Sequence, residues 1–227
     1  MKLSRITSYL DRTLRVESFD DVSNNGLQIA RTGDEVTRVA VDVDASVRAV
    51  EAAAQAGAQL LIVHHGISWG GGIRRLTGGV YAVVKAAMEA NLALYACHLP
   101  LDAHEKLGNN FCLARFLGLK GLRRAFSYHG NVIGVIGRNA HGARIGVCSG
   151  GAGEFAEEAK RLGCDLYVTG EANWGERVAA ENGGMKMICA GHYQTEVFGV
   201  RAVAAALARD LKVKTVDLTA RPAGEGK

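Results

Sequence analysis

The chain has few cysteines and no paired ones: Cys97, Cys112, Cys148, Cys164 and Cys189 are odd in number and lie far apart among 227 residues. No disulfide framework, paired-cysteine redox motif or closed cysteine-rich zinc site fits that spacing, and the five read as buried thiols of a reducing cytoplasm. No stretch is apolar for long enough to span a bilayer, so no membrane partner is expected. Residues 1–14 place Ile6, Leu10 and Leu14 at helical spacing with Arg5, Asp11 and Arg12 between them, which predicts a helix and lacks the continuous apolar segment expected of a signal peptide. Aromatics are sparse at 6%, and the +4 net charge is spread out, apart from short pairs such as Arg74-Arg75 and Arg123-Arg124. Without a basic tract, nucleic-acid binding is the weakest reading, and an anionic small molecule suits the mild positive charge better. The run Ser149-Gly150-Gly151-Ala152-Gly153 lacks the lysine of a phosphate-binding loop and the full dinucleotide fingerprint, so tight helix packing explains it at least as well.

What is present is an ordinary globular composition, 48% hydrophobic and 22% charged, with enough length for one large domain or two small ones. After the first helix comes a polar loop over 18–33, then a strand near 36–43. Helical and strand patterns alternate from there. Helices are predicted near 45–56, 80–90, 110–117, 154–162, 174–181 and 195–209. Strands are predicted near 60–65, 92–96, 131–137, 144–148, 166–169, 185–189 and 214–218. This is the pattern of an α/β fold. The tail from Thr219 to Lys227, with Pro222 and two glycines, reads as loose.

An internal repeat organises the chain. Val39 to His65 resembles Ile145 to Glu171, with Gly57 matching Gly163, an offset of 163 minus 57, or 106. Leu94 to His98 followed by Asp102 resembles Ile188 to His192 followed by Glu196, at an offset of 192 minus 98, or 94. The expectation is two related, intimately packed α/β lobes, residues 1–125 and 126–227, with a metal site between them.

The apolar run Leu60-Leu61-Ile62-Val63 ends in His64-His65-Gly66. A strand alternates its side chains, so adjacent histidines serve one cavity only if the chain turns, as Gly66 permits, or if each imidazole addresses its own ion. A single histidine after a strand is more often an ordinary residue than a ligand. The doubled histidine and the repeated histidine–carboxylate spacing reverse that weighting. His64, His65, Asp102, His192 and Glu196 are therefore the candidate ligands, an imidazole and carboxylate set suited to zinc, manganese or iron in an open site. Four-residue spacing puts His192 and Glu196 on one helix face. His98 is either a ligand like its counterpart His192 or a partner orienting Asp102. His104, close to Asp102, is a further candidate, whereas His129 and His141 lie in polar loops. Asn24-Asn25-Gly26 and Gln28 read as turn chemistry or as a polar loop over the site, and Asn109-Asn110 as a helix cap. Asp44 reads as a cap before Ala45, Glu171 as a group able to approach the cavity, and Trp69 and Trp174 as walls or packing.

These residues carry a resemblance. Asn25-Gly26-Leu27-Gln28-Ile29, Val63-His64-His65-Gly66 with Trp69, Cys97 to His104 with Gly108-Asn109-Asn110, Thr169-Gly170-Glu171, and Gly191-His192 with Thr195-Glu196 together resemble the Nif-three-like dinuclear-metal family in its short bacterial form. Its members are often labelled type 2 GTP cyclohydrolases. The resemblance implies a two-lobed subunit, a toroidal homohexamer, and two divalent ions per subunit held by His64, His65, Asp102, His192 and Glu196.

Two functions follow. One is a metal-dependent hydrolase acting on a nucleotide-like or other anionic small molecule, with His98 and His104 as catalytic acid–base groups. The other is a non-catalytic protein that buffers or delivers metal or binds a partner. A positioned acid or base beyond the ligands favours the enzyme.

Overall fold

The computed structural model describes residues 1–220. The expected loose tail lies outside them from residue 221 onward. The chain forms two compact units, one from Met1–His98 with the segment from Val200 onward, the other Leu99–Gly199. This corrects the expected boundary at 125/126, which falls inside a strand. The reason is sheet pairing: the last strand bonds to the N-terminal sheet and takes the end of the chain with it.

The first unit holds α1 (Leu3–Leu14), β1 (Gly26–Ile29), β2 (Arg38–Asp44), α2 (Val47–Gln55), β3 (Leu60–His65), α3 (Gly78–Glu89), β4 (Ala93–Ala96) and β10 (Lys214–Asp217). Its sheet runs β1-β4-β3-β2-β10, parallel except for β1, which pairs antiparallel with β4. The Ile6, Leu10, Leu14 stripe of α1 is buried as its spacing predicts. Every residue of β3 before His65 is buried, as expected of a parallel strand covered on both faces. Leu61 and Val63 pack with Ala49, Val50 and Ala53 of α2 and Val83 and Ala87 of α3. Each fully buried valine or leucine there contributes about 1.5–3 kcal/mol.

The second unit holds α4 (Leu99–Ala103), α5 (Asn109–Phe116), β5 (Lys120–Tyr128), β6 (Asn131–Arg138), β7 (Arg144–Gly151), α6 (Ala156–Arg161), β8 (Leu166–Glu171), α7 (Trp174–Asn182), β9 (Met187–Cys189) and the start of α8 (His192–Leu211), whose remainder belongs to the first unit. Its sheet runs β5-β6-β7-β8-β9, with β7, β8 and β9 parallel and β5 and β6 antiparallel. β5, α4 and β1 arise from segments where no regular element was expected. Glycine and charged residues disrupt the strand alternation of Lys120–Tyr128, whose pairing with β6 also carries an irregularity.

The repeat is structural. Val39 and Val41 pair with Leu60 and Ile62 in one unit, and Ile145 and Val147 pair with Leu166 and Val168 in the other, each residue shifted by the same 106. Gly57 and Gly163 both take left-handed conformations, φ 70° and 72°, after α2 and α6. The guanidinium of Arg38 donates to the Ala56 carbonyl, and that of Arg144 to the Leu162 carbonyl, so each helix end is tied to its own sheet in the same way. The second match is less regular. Tyr95 pairs with Ile62 but Cys189 with Thr169, so β9 sits one residue away from the 94-residue correspondence.

Candidate metal-binding site

In the first unit β3 delivers His64 and His65, with ring centroids 4.6 Å apart. The strand stays extended through His65, and Gly66 does not supply the turn suggested by the sequence. Its need is space, because a Cβ there would collide with the Gln28 carboxamide oxygen and lie 2.6 Å from the Ala96 Cβ. Gln28 accepts from the Ile67 amide at 2.7 Å and donates to the Asn24 carbonyl at 2.8 Å, fastening the loop after the histidines. The Asn-Gly segment is not a turn: Asn24 and Asn25 lead directly into β1, which starts at Gly26.

His98 completes a group of three. Its ring centroid lies 5.1 Å from that of His64 and 5.7 Å from that of His65. One nitrogen from each of the three lies within 4.8 Å of the others, a grouping that could hold a metal ion. All three rings are anchored through Nδ1. His64 Nδ1 donates to the Cys97 carbonyl at 2.9 Å, His65 Nδ1 meets Asp44 Oδ1 at 2.9 Å, and His98 Nδ1 meets Asp21 Oδ1 at 2.9 Å. A carbonyl or carboxylate at Nδ1 fixes the tautomer with its proton there and its lone pair on Nε2, as metal-binding imidazoles require. Trp69 stands edge-on to His98 at 5.2 Å, its Nε1 donating to the Gly66 carbonyl, and so walls this cluster. Asp44 is not the helix cap expected of it. Ser46 caps α2 by accepting from the Ala49 amide, and Asp44 pairs in register with His65.

Asp21 escaped the sequence reading. Its carboxylate also accepts from the Ser23 amide at 3.0 Å and from Asn25 Nδ2 at 2.8 Å. Burial opposes its charge, but the hydrogen bond and attraction from His98, with those from Asn25 and Ser23, outweigh it and bring the carboxyl down to about 2.

In the second unit His192 and Glu196 lie one turn apart on α8, with Nε2 3.2 Å from Oε1, as the four-residue spacing predicts. Glu171, at the end of β8, holds His192 Nδ1 at 3.0 Å. The Glu196 hydrogen bond chiefly raises the His192 pKa, to about 9, against the opposing effect of burial and with help from Glu171. Asp102 is buried and fixed by Asn109 Nδ2 at 2.9 Å and by the Ser149 hydroxyl at 3.2 Å. Asn109 also accepts from the Gly199 amide, and Asn110 links the Ile133 carbonyl to the Ser149 amide. These buried asparagines do not cap α5, whose N-cap is Gly108. They orient Asp102 and tie α8 to it, a role readable only once the partners are assembled.

The glycine run at the end of β7 serves packing. Gly150 has φ 67° and donates its amide to Thr195 Oγ1, and a Cβ there would strike the Glu196 carboxylate. His104 does different work from the other histidines: its Nδ1 accepts from the amides of Lys106 at 3.1 Å and Leu107 at 3.0 Å, closing the turn after α4. Its proton is therefore on Nε2, opposite to the site imidazoles. His129 and His141 are exposed, as expected. Trp174, 79% exposed, neither walls nor packs.

The donor chemistry fits divalent metal: four imidazoles with anchored Nδ1 atoms, and two buried carboxylates held by helix and asparagine partners. The Duf34/NIF3 (NGG1p interacting factor 3) family model matches residues 1–143 and 135–222. A Deinococcus radiodurans protein named GTP cyclohydrolase 1 type 2 homolog is 41% identical, over 88% of this chain and 86% of its own. A Pyrococcus horikoshii protein of the same name is 37% identical, over 95% and 97%. The crystal structure of a Thermus thermophilus protein superposes with a TM-score of 0.84 at 32% identity, over 99% of this chain and 100% of that one. The chain belongs to the Duf34/NIF3 family. Among the described residues no helix is long and apolar enough to cross a membrane, and none of the five cysteines forms a disulfide.

Proposed function

We propose that this protein binds two divalent cations through His64, His65, Asp102, His192 and Glu196 and acts as a hydrolase on a nucleotide-like or other anionic small molecule in the cytoplasm. The observation that supports it most is the shared anchoring of the imidazoles through Nδ1, which makes Nε2 the nitrogen each ring would offer a cation; in His192 that atom already meets Glu196 Oε1 at 3.2 Å. Bound ions of this kind supply Lewis-acid catalysis. The chain's own residues supply orientation: Asn109 and Ser149 aim Asp102, Glu171 aims His192, and Gly150 makes room for Glu196. His98, beyond the five ligands, is the acid–base group in this reading. Its positioning by Asp21 favours an enzyme over a metal store, which needs no such group. The geometry gives His104 a turn-closing role and no comparable support as a second acid–base group. The names of the relatives make GTP the first substrate to test, and the family resemblance supports a homohexamer, which light scattering checks by molar mass.

The test is elemental analysis of the purified wild type beside His65→Ala and Glu196→Ala, with turnover of GTP, phosphoesters and cyclic amides measured on the same samples. Two metal equivalents in the wild type, reduced in both variants together with activity, are expected. Unchanged metal in both variants would refute the site, and a fully loaded wild type that turns over none of the panel would refute the hydrolase.

A further inference from the structure

One polar cluster of the first unit lies outside the five ligands and faces two of them, His64 and His65, through a single ring. Asp21 is almost wholly buried, its side chain 2% exposed, in a segment whose sequence gives no sign of catalytic work. Its oxygens are divided between three donors. Oδ1 takes His98 Nδ1 and the Ser23 amide, and Oδ2 takes Asn25 Nδ2. Asn25 then turns back: its Oδ1 accepts the His98 backbone amide at 2.7 Å. Asp21 and Asn25 thus grip His98 at both its backbone and its ring, and Trp69 stands edge-on beside that ring.

We propose that Asp21, locked by Asn25, is a positioning residue that holds His98 in the Nδ1–H tautomer with its Nε2 lone pair directed at the histidine cluster. A carboxylate has no proton to offer Nδ1, so the ring must donate to it. Turning the ring would break its hydrogen bond to Asp21 Oδ1, and the carboxylate is held from following it by the Ser23 amide and Asn25. This inference rests on the hydrolase reading for the purpose it assigns to His98, but the tautomer and the grip stand on geometry alone. It gives Asn25-Gly26 a chemical reason for its place in the chain: the asparagine joins the acid to the backbone of the residue the acid orients.

The experiment uses zinc-loaded, 15N-labelled wild type, Asp21→Asn, Asp21→Glu and Asn25→Ala, with folding followed by circular dichroism. Long-range 1H–15N spectra, with His98 assigned against His98→Gln, read the tautomer, while elemental analysis and steady-state kinetics run in parallel. The wild type should show protonated Nδ1 and lone-pair Nε2. Asp21→Asn should mix the tautomers and lower kcat about 10- to 100-fold at unchanged KM and metal content. Asp21→Glu should recover part of both signals, and Asn25→Ala should broaden the His98 resonances with a smaller loss. A wild-type ring protonated on Nε2, or a tautomer unaltered in a folded Asp21→Asn, would overturn the proposal. So would metal lost in proportion to activity, since His98 would then be a ligand. If the wild type hydrolyses nothing, the hydrolase reading falls, and the tautomer spectra still decide the role of Asp21.

Discussion

The two copies of the strand–helix–strand repeat share their frame and differ in the residues they send to its end. In the first unit β3 ends in His64-His65, and Asp44 on the neighbouring strand accepts the hydrogen bond from His65 Nδ1. At the equivalent positions, shifted by 106, stand Gly170, Glu171 and Gly150. The roles are exchanged: the strand end of the second unit supplies the carboxylate, Glu171, and the imidazole comes from α8. The reason that copy carries no histidine pair is spatial. A Cβ on Gly170 would lie 2.6 Å from the Gly150 carbonyl oxygen and 2.7 Å from Thr195 Oγ1. Thr195 of α8 and Gly150 of β7 leave no room for a side chain at this position. His64 in the first unit is fully buried yet accommodated, with the Cys97 carbonyl as its partner.

The sharpest way to break this comparison is to add one methyl group at the crowded position. Gly170→Ala should cost about 3 kcal/mol of stability, because the obstacle is backbone that cannot move aside. Urea denaturation measures it, and a loss under about 1 kcal/mol would mean that crowding does not explain the missing histidine. Next in size is the exchange of supporting carboxylates. Asp44→Asn should weaken metal binding toward about 100-fold and Glu171→Gln, which is more exposed, nearer about 10-fold. Competition with a chromogenic chelator ranks them.

Smaller effects test what the units have in common. Gly57→Ala and Gly163→Ala place the same residue in the same left-handed turn, so each should cost about 1–2 kcal/mol, equal within error in urea midpoints. The smallest expected effect concerns pH. In metal-free protein His192 is raised from 6.5 to about 9 by its carboxylate partners. Its contribution to stability is therefore complete below pH 6.5 and disappears as pH rises through about 9. The difference in urea midpoint between wild type and His192→Gln should shrink over that interval, while metal affinity rises as the competing proton leaves. A difference that grows with pH would contradict the pairing of His192 with Glu196 and Glu171.

Much of the fold was legible because its signals are local. The α1 stripe, the apolar β3 run and the glycines after α2 and α6 each act on their own neighbourhood. The five candidate ligands were legible for a related reason, since spacing along a helix or a strand end is a short-range property. β5 was missed because its pattern is broken by Gly121 and by Arg123-Arg124. Asp21 was missed because nothing within its own segment distinguishes it from a loop aspartate, and its partner lies 77 residues away. The course of the C-terminal strand into the first sheet was missed for the same reason, its partner β2 being early in the chain.

By itself, then, the sequence determined most of the elements, the duplicated frame and the residue types able to bind metal, all consequences of periodicity and side-chain chemistry. Only the tertiary structure decided what each polar group does. It showed which ring nitrogen carries the proton, that Asp44 holds a histidine while Ser46 caps the helix, and that Asn109 aims a carboxylate. It also separated His98 from His104, both of them candidates from sequence alone. Hydrogen bonds fix tautomer and direction only between atoms about 3 Å apart, and it is folding that brings such atoms together from distant parts of the chain.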